Sequence, residues 1–227
     1  MAKSVKTNRF YVVLGVIALA GGAAIFWSRG DRGAQSGTLK PLEGSSAGAE
    51  AMPGYVVGSD SAKLEVLEYA DFQCPACRMF TIITKPDVDE RLVKPGLIRW
   101  RFRDRPLDGH AKSPVAHHAA ACAGEQGKFW SMHDQLYLNQ SDWVGGGTEK
   151  KIRSYAEKAG VDLAKYDECM KSQRYRARLA ASAEQATAQG ITSTPTFVFG
   201  PRMVSGALAY DALKAIVDSI LGQKKAA

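Results

Sequence analysis

Cysteine is scarce in this chain, four in 227 residues, far too few for a small fold held together mainly by disulfides. The length leaves room for one sizeable core and an appendage, not for a repeat array or a large multidomain enzyme. No phosphate loop is present: Gly145-Gly146-Gly147 lacks the spacing and the following Lys-Ser/Thr that would cradle a nucleotide. Aromatic residues make up only 9% and are not interleaved with a basic patch, so nucleic acid is not an indicated partner. An apolar fraction of 45% with 23% charged residues excludes a mostly disordered or collagen-like chain.

The formal charge of +7 belongs partly to the N-terminal region. Lys3, Lys6 and Arg9 form a short basic tail over residues 1–9, and no charged side chain follows from Phe10 to Trp27. As a helix that run is roughly 27 Å long, close to the thickness of a bilayer core. It reads as an uncleaved transmembrane signal anchor over residues 10–27. The alternative is a cleaved signal peptide with a small-x-small site at Ala18-Leu19-Ala20, which leaves Ile25-Phe26-Trp27 unexplained. Residues 28–54, rich in Gly, Ala and Ser with Pro41 and Pro53, read as a flexible linker. What remains beyond residue 54 carries a net charge of only +4, with 24 basic and 20 acidic residues.

A folded domain is expected over residues 55–222. Leu64 to Tyr69 reads as a strand leading into Cys74-Pro75-Ala76-Cys77, where a helix starts with Pro75 in its first turn. Pro86 should end or kink that helix. Ile98, Trp100 and Phe102 alternate with Arg99 and Arg101, the period of a half-buried strand. Ala-rich stretches broken by glycines between Ser113 and Gln189 predict several short helices. Thr196–Phe199 and Arg202–Ser205 predict a hairpin turning at Gly200-Pro201. A final helix is expected from Tyr210 to Leu221, with Leu213, Ile216, Val217, Ile220 and Leu221 on one face. Two β-rich parts thus flank a helical insertion at about residues 110–190.

Cys74 and Cys77 carry the sharpest chemical signal. Two thiols two residues apart at a helix start can close a reversible disulfide, and the helix N-terminus favours the thiolate of the first. Half of a zinc site or a passive staple is the competing reading, but Cys122 and Cys169 form no second closely spaced pair to complete such a site. His110, His117, His118 and His133 receive no catalytic role.

With Glu68-Tyr69-Ala70-Asp71-Phe72-Gln73-Cys74-Pro75-Ala76-Cys77, then Ser193-Thr194-Pro195-Thr196-Phe197 after a long helical stretch, the sequence resembles the thioredoxin superfamily. Within it, the sequence is similar to DsbA-like thiol:disulfide oxidoreductases. The resemblance implies an α/β thioredoxin-like fold with an inserted α-helical subdomain, here preceded by the N-terminal transmembrane helix. It makes Cys74 the attacking and Cys77 the resolving cysteine, and Thr194-Pro195 the cis-proline loop that receives substrate in a strand-like manner. Glu68 takes the position of a buried acid serving Cys77. Asp71, nearer the helix start, is expected to satisfy local backbone instead. Ala76 departs from the strongly oxidising members, which have histidine there, so a higher Cys74 pKa and a weaker oxidant are expected.

The resemblance further implies a structural disulfide between Cys122 and Cys169, two separate buried thiols being the alternative. It implies no cofactor and no metal. Its partners would be exported thiol- or disulfide-containing proteins and a membrane redox partner that resets the pair, with the domain extracytoplasmic. Reductase or isomerase activity, or a membrane-tethered peptide-binding module, are the other functions compatible with these residues.

Overall fold

The computed structural model describes residues 40–41 and 54–226. The expected anchor over 10–27 and most of the linker lie outside them. Among the described residues no helix is long and apolar enough to cross a membrane.

Six strands form one sheet: β1 (Lys40–Pro41), β2 (Tyr55–Val57), β3 (Leu64–Ala70), β4 (Ile98–Asp104), β5 (Thr196–Phe199) and β6 (Arg202–Ser205). Their order is β1-β6-β5-β3-β4-β2. β3 and β4 run parallel, which requires a crossover; every other pair is antiparallel. The alternation read in β4 is observed: Ile98, Trp100 and Phe102 are fully buried while Arg99 and Arg101 are partly exposed. Gly200, at φ +62°, makes the tight turn between β5 and β6, a conformation that favours glycine. Lys40–Pro41, within the stretch read as a linker, instead adds a short strand to the β6 edge opposite Arg202 and Met203.

The crossover from β3 to β4 begins with α1 (Pro75–Met79) and includes α2 (Lys85–Val88). Pro86 does not end this helical run. Wider π-type turns at Phe80–Thr84 and Asp89–Val93 carry it onward, with the Lys85 N–H reaching back to the Phe80 carbonyl. The widened turn lets the backbone stay helical where proline supplies no N–H. Phe80, Val88 and Leu92 from this run pack on one sheet face with Val66, Trp100 and Phe197, and the same core takes in Leu213 and Val217 of the C-terminal helix (Tyr210–Ala226). Tyr69 and Val198 point to the other face, against Ala186 and Ile191.

Six helices fill the segment between β4 and β5: α3 (Ser113–Gly124), α4 (Phe129–Leu138), α5 (Gln140–Gly145), α6 (Thr148–Lys158), α7 (Leu163–Ser172) and α8 (Arg176–Ala188). The C-terminal helix is α9. Small side chains at Ala116, Ala119, Ala120 and Ala123 let α3 sit in the middle of the insertion, in a core continuous with Phe72, Cys74, Cys77 and Phe102. The cysteine pair therefore lies where the insertion closes over the sheet. Cys122 of α3 and Cys169 of α7 are joined by a disulfide with Cα atoms 5.7 Å apart.

Candidate active site

Asp71 organises the approach to the cysteines. Fully buried, it accepts the Gln73 N–H at 2.7 Å on one oxygen, and the Leu107 N–H at 2.8 Å on the other, which also lies 2.9 Å from His110 Nδ1. Its carbonyl accepts the Cys74 N–H at 3.0 Å. This is the local backbone role expected of it. Gln140 supports the same loop from the insertion, donating to the carbonyls of Phe72 at 2.7 Å and Cys74 at 2.9 Å. Nothing in the sequence singled out Gln140, which arrives from 66 positions away.

Cys74 caps α1 with extended backbone, and Pro75 occupies the first turn. Both cysteines are free thiols, Cys77 fully buried and Cys74 only 6% exposed. Their environments drive them apart. Cys74 is lowered to about 6, first by the hydrogen bond from the Cys77 thiol, then by Thr194 and by the N–H groups of Cys77 and Ala76, against an opposing effect of burial. Cys77 is held well above the ordinary thiol range by burial and then by its bond to, and the charge on, Cys74. At neutral pH the pair is one thiolate and one thiol.

Thr194–Pro195 is a cis peptide, and the Thr194 carbonyl lies 3.3 Å from the Cys74 sulfur. A thiol donates to that carbonyl. The Thr194 hydroxyl is buried without a hydrogen-bond partner, and Thr194 adds to the effect of Cys77 in favouring the Cys74 thiolate. β5 starts at the next residue, and the Pro195 carbonyl accepts from Gly206 N at 2.8 Å, so the loop is pinned to the β6 side.

Glu68 lies inside the sheet, 1% exposed, between Phe102 on β4 and Phe197 on β5. Trp100 Nε1 donates to its Oε2 at 2.9 Å, while Oε1 is buried without a partner. Burial raises its pKa to about 7, opposed by the charge of Lys85 and the Trp100 bond. The resulting cost of holding this acid is absent below the ordinary carboxylate range and grows as pH rises towards 7, where the folded protein finally ionises it. Glu68 is also among the charges that keep Cys77 protonated.

Lys85, likewise missed in the sequence, is 5% exposed, pairs with Asp89, and sits over the rings of Trp100 and Trp130 at 5.3 and 5.2 Å. Its signal was hidden because the π-type turns shift the phase at which helix residues face the sheet.

Elsewhere among the described residues, His118, Cys122 and Cys169 place potential metal-ligand atoms within 4.8 Å of one another. The two sulfurs are bonded to each other, so neither offers the thiolate a metal requires.

Comparison with known proteins places this geometry. Residues 50–219 match the family model described as thioredoxin. The Na(+)/H(+) antiporter NhaA 1 of Salinispora arenicola is 35% identical over 166 residues, 73% of this chain but 24% of that protein. The chain thus spans about a quarter of the length of the first curated relatives it matches. Disulfide bond formation protein D of Bacillus subtilis is 23% identical over 179 residues, covering 74% of this chain and 78% of that one. Among solved structures, oxidised BdbD from Bacillus subtilis superposes with a TM-score of 0.68 at 19% identity, over 79% of this chain and 96% of that chain. A thioredoxin-like oxidoreductase from Silicibacter pomeroyi gives 0.61 at 27% identity, over 74% and 92%.

Proposed function

Since the chain belongs to the thioredoxin family, we propose that it is a DsbA-like thiol:disulfide oxidoreductase that introduces disulfides into exported proteins through Cys74 and Cys77. The observation that carries this reading is the placing of two free thiols at the start of α1 against the cis Thr194–Pro195 peptide, whose Thr194 carbonyl lies 3.3 Å from the Cys74 sulfur; there Cys74 is lowered to about 6 and Cys77 is held as the thiol. A low pKa makes Cys74 a good leaving group, so the dithiol state is favoured and the disulfide oxidises its substrate.

In the oxidising direction a substrate thiolate attacks the Cys74 sulfur of the Cys74–Cys77 disulfide. That bond breaks, and the departing Cys77 sulfur takes a proton from Glu68. A second substrate thiolate then attacks the substrate sulfur of the mixed disulfide, and Cys74 leaves as the stabilised thiolate. The substrate has lost two electrons and the pair has gained them. A membrane redox partner removes those electrons. The Thr194 backbone beside Pro195 receives the substrate as an extended segment. We place the domain outside the cytoplasm, tethered by residues 28–54 to an anchor over 10–27.

A reduced two-cysteine peptide offered to the oxidised protein tests this. The wild type is expected to return the peptide as its disulfide, and Cys77→Ser, mixed with the same peptide in its disulfide form, to stall as an adduct through Cys74. A peptide left reduced by the wild type, or an adduct carried by another cysteine, would contradict the proposal.

A further inference from the structure

His118, Cys122 and Glu125 stand at positions i, i+4 and i+7 of α3, with Glu125 capping its end, so they share one face of the helix. Cys169 of α7 meets that face. One ring nitrogen of His118 and the two sulfurs all lie within 4.8 Å of one another, and Glu125 Oε1 is 3.8 Å from the Cys169 sulfur. Two sulfurs, an imidazole and a carboxylate thus converge in one corner of the insertion.

The imidazole has an unused lone pair. His118 is 3% exposed, and its Nε2 lies 3.2 Å from the Cys169 carbonyl. A carbonyl only accepts, so Nε2 carries the proton and the neutral ring keeps its lone pair on Nδ1. That nitrogen is buried without a hydrogen-bond partner. Metal-binding histidines have this arrangement, one nitrogen donating to a carbonyl or carboxylate while the other is free to ligate. Glu125 is oriented as well: the Tyr175 hydroxyl donates to its Oε1 at 2.7 Å, and the same ring meets His118 edge-on at 5.9 Å. Glu125 is partly exposed and lines a cleft of about 480 Å³ with Lys165, Glu168 and Arg174, which gives an ion a way in.

We propose that His118, Cys122, Glu125 and Cys169 form a zinc site in the dithiol state of the chain, the state every chain occupies before its Cys122–Cys169 disulfide closes. The site is independent of the exchange chemistry at Cys74. Each thiol releases its proton to solvent as its sulfur bonds the ion, and no electron moves. Two sulfurs, a nitrogen and an oxygen suit zinc, which takes four ligands of these kinds tetrahedrally with Zn–S near 2.3 Å. At that bond length tetrahedral ligand atoms stand roughly 3.5–3.8 Å apart, the spacing that Glu125 Oε1 and the Cys169 sulfur already have. Two thiolates and a carboxylate around a dication leave a surplus negative charge, which Arg174, 3.4 Å from Glu125 Oε1, offsets. Metal and disulfide compete for the same sulfurs, so each ties α3 to α7 only when the other is absent.

Full-length protein carrying Cys74→Ser and Cys77→Ser tests this, because Cys122 and Cys169 are then its only cysteines. The protein is reduced with a phosphine, given Zn²⁺, and freed of unbound metal by gel filtration. The expected result is stoichiometric zinc in the reduced protein, none in the disulfide form, and a melting temperature that reduction lowers and zinc restores. Cobalt(II) in place of zinc should give the intense visible absorption of tetrahedral thiolate coordination. His118→Ala and Glu125→Gln should each weaken binding by about tenfold or more. The second changes a partly exposed side chain, so its weaker binding does not reflect a damaged core. Reduced protein that retains no zinc, or zinc that binds without raising the melting temperature, would overturn the proposal. So would zinc held as tightly by both variants, or held equally well by the disulfide form.

Discussion

Replacing Cys74 with serine is expected to lower thiol-disulfide exchange by on the order of a thousandfold or more while leaving the fold intact. Serine is close in size and serves well at a helix N-cap, so α1 should be retained. What disappears is a sulfur that is mostly thiolate at neutral pH, since a group lowered to about 6 is deprotonated roughly ten to one at pH 7. A serine hydroxyl with no adjacent base does not ionise there. No other free cysteine can substitute: Cys77 is fully buried and held as the thiol, and Cys122 and Cys169 are bonded to each other. Exchange assays on Cys74→Ser with unchanged turnover would move the chemistry away from this pair and leave it a structural staple.

The second large effect concerns stability. The Cys122–Cys169 bond spans 47 positions and ties α3 to α7, the two helices that bracket most of the insertion. In the chain-entropy description, closing a loop of that size contributes about 4 kcal/mol. For a domain of this size that corresponds to a fall in melting temperature on the order of 10 °C when both cysteines become alanine. Both sulfurs are fully buried, so paired replacement also leaves a small void that acts in the same direction. Exchange activity at room temperature should change little, because the loop before Cys74 is held by Asp71 and Gln140, which lie outside α3 and α7. Melting curves of the double variant that overlay the wild type would show that the bond contributes nothing to the folded state.

Legibility in the sequence followed physical locality. β4 could be read because apolar and charged residues alternate through it, and β3 because a short apolar run stops just before the cysteines. The Cys74 cap and Pro75 were readable for the same reason: a helix start depends on a few consecutive residues. Glu68 was found only through resemblance, since an acid in a strand ordinarily faces solvent. Its burial depends on Trp100 and Phe102 from β4 and Phe197 from β5, none of which is local. Gln140 and Lys85 escaped entirely. Gln140 holds the Cys74 loop from α5 and Lys85 acts on Glu68 from α2, and the π-type turns around Pro86 change which residues of the first helical run face inward. Pro86 disturbs the run without ending it, because the lost N–H is accommodated by widening the turn.

The most direct test of the account is the reduction potential of Cys74–Cys77, measured against glutathione from pH 5 to pH 8. At pH 7 it should fall between thioredoxin at about −270 mV and the strongest oxidants at about −120 mV. Its dependence on pH is the sharper reading. Lowering Cys74 favours the dithiol protein fully above the ordinary thiol pKa of about 8.5, and that advantage is lost as pH falls through about 6. Below about pH 6 reduction therefore takes up two protons, a slope of about 59 mV per pH unit; above it Cys74 stays a thiolate, and the slope halves to about 30 mV. A break near pH 6 is the predicted result. A two-proton slope persisting to pH 8, or a potential below about −300 mV as in structural disulfides, would contradict it.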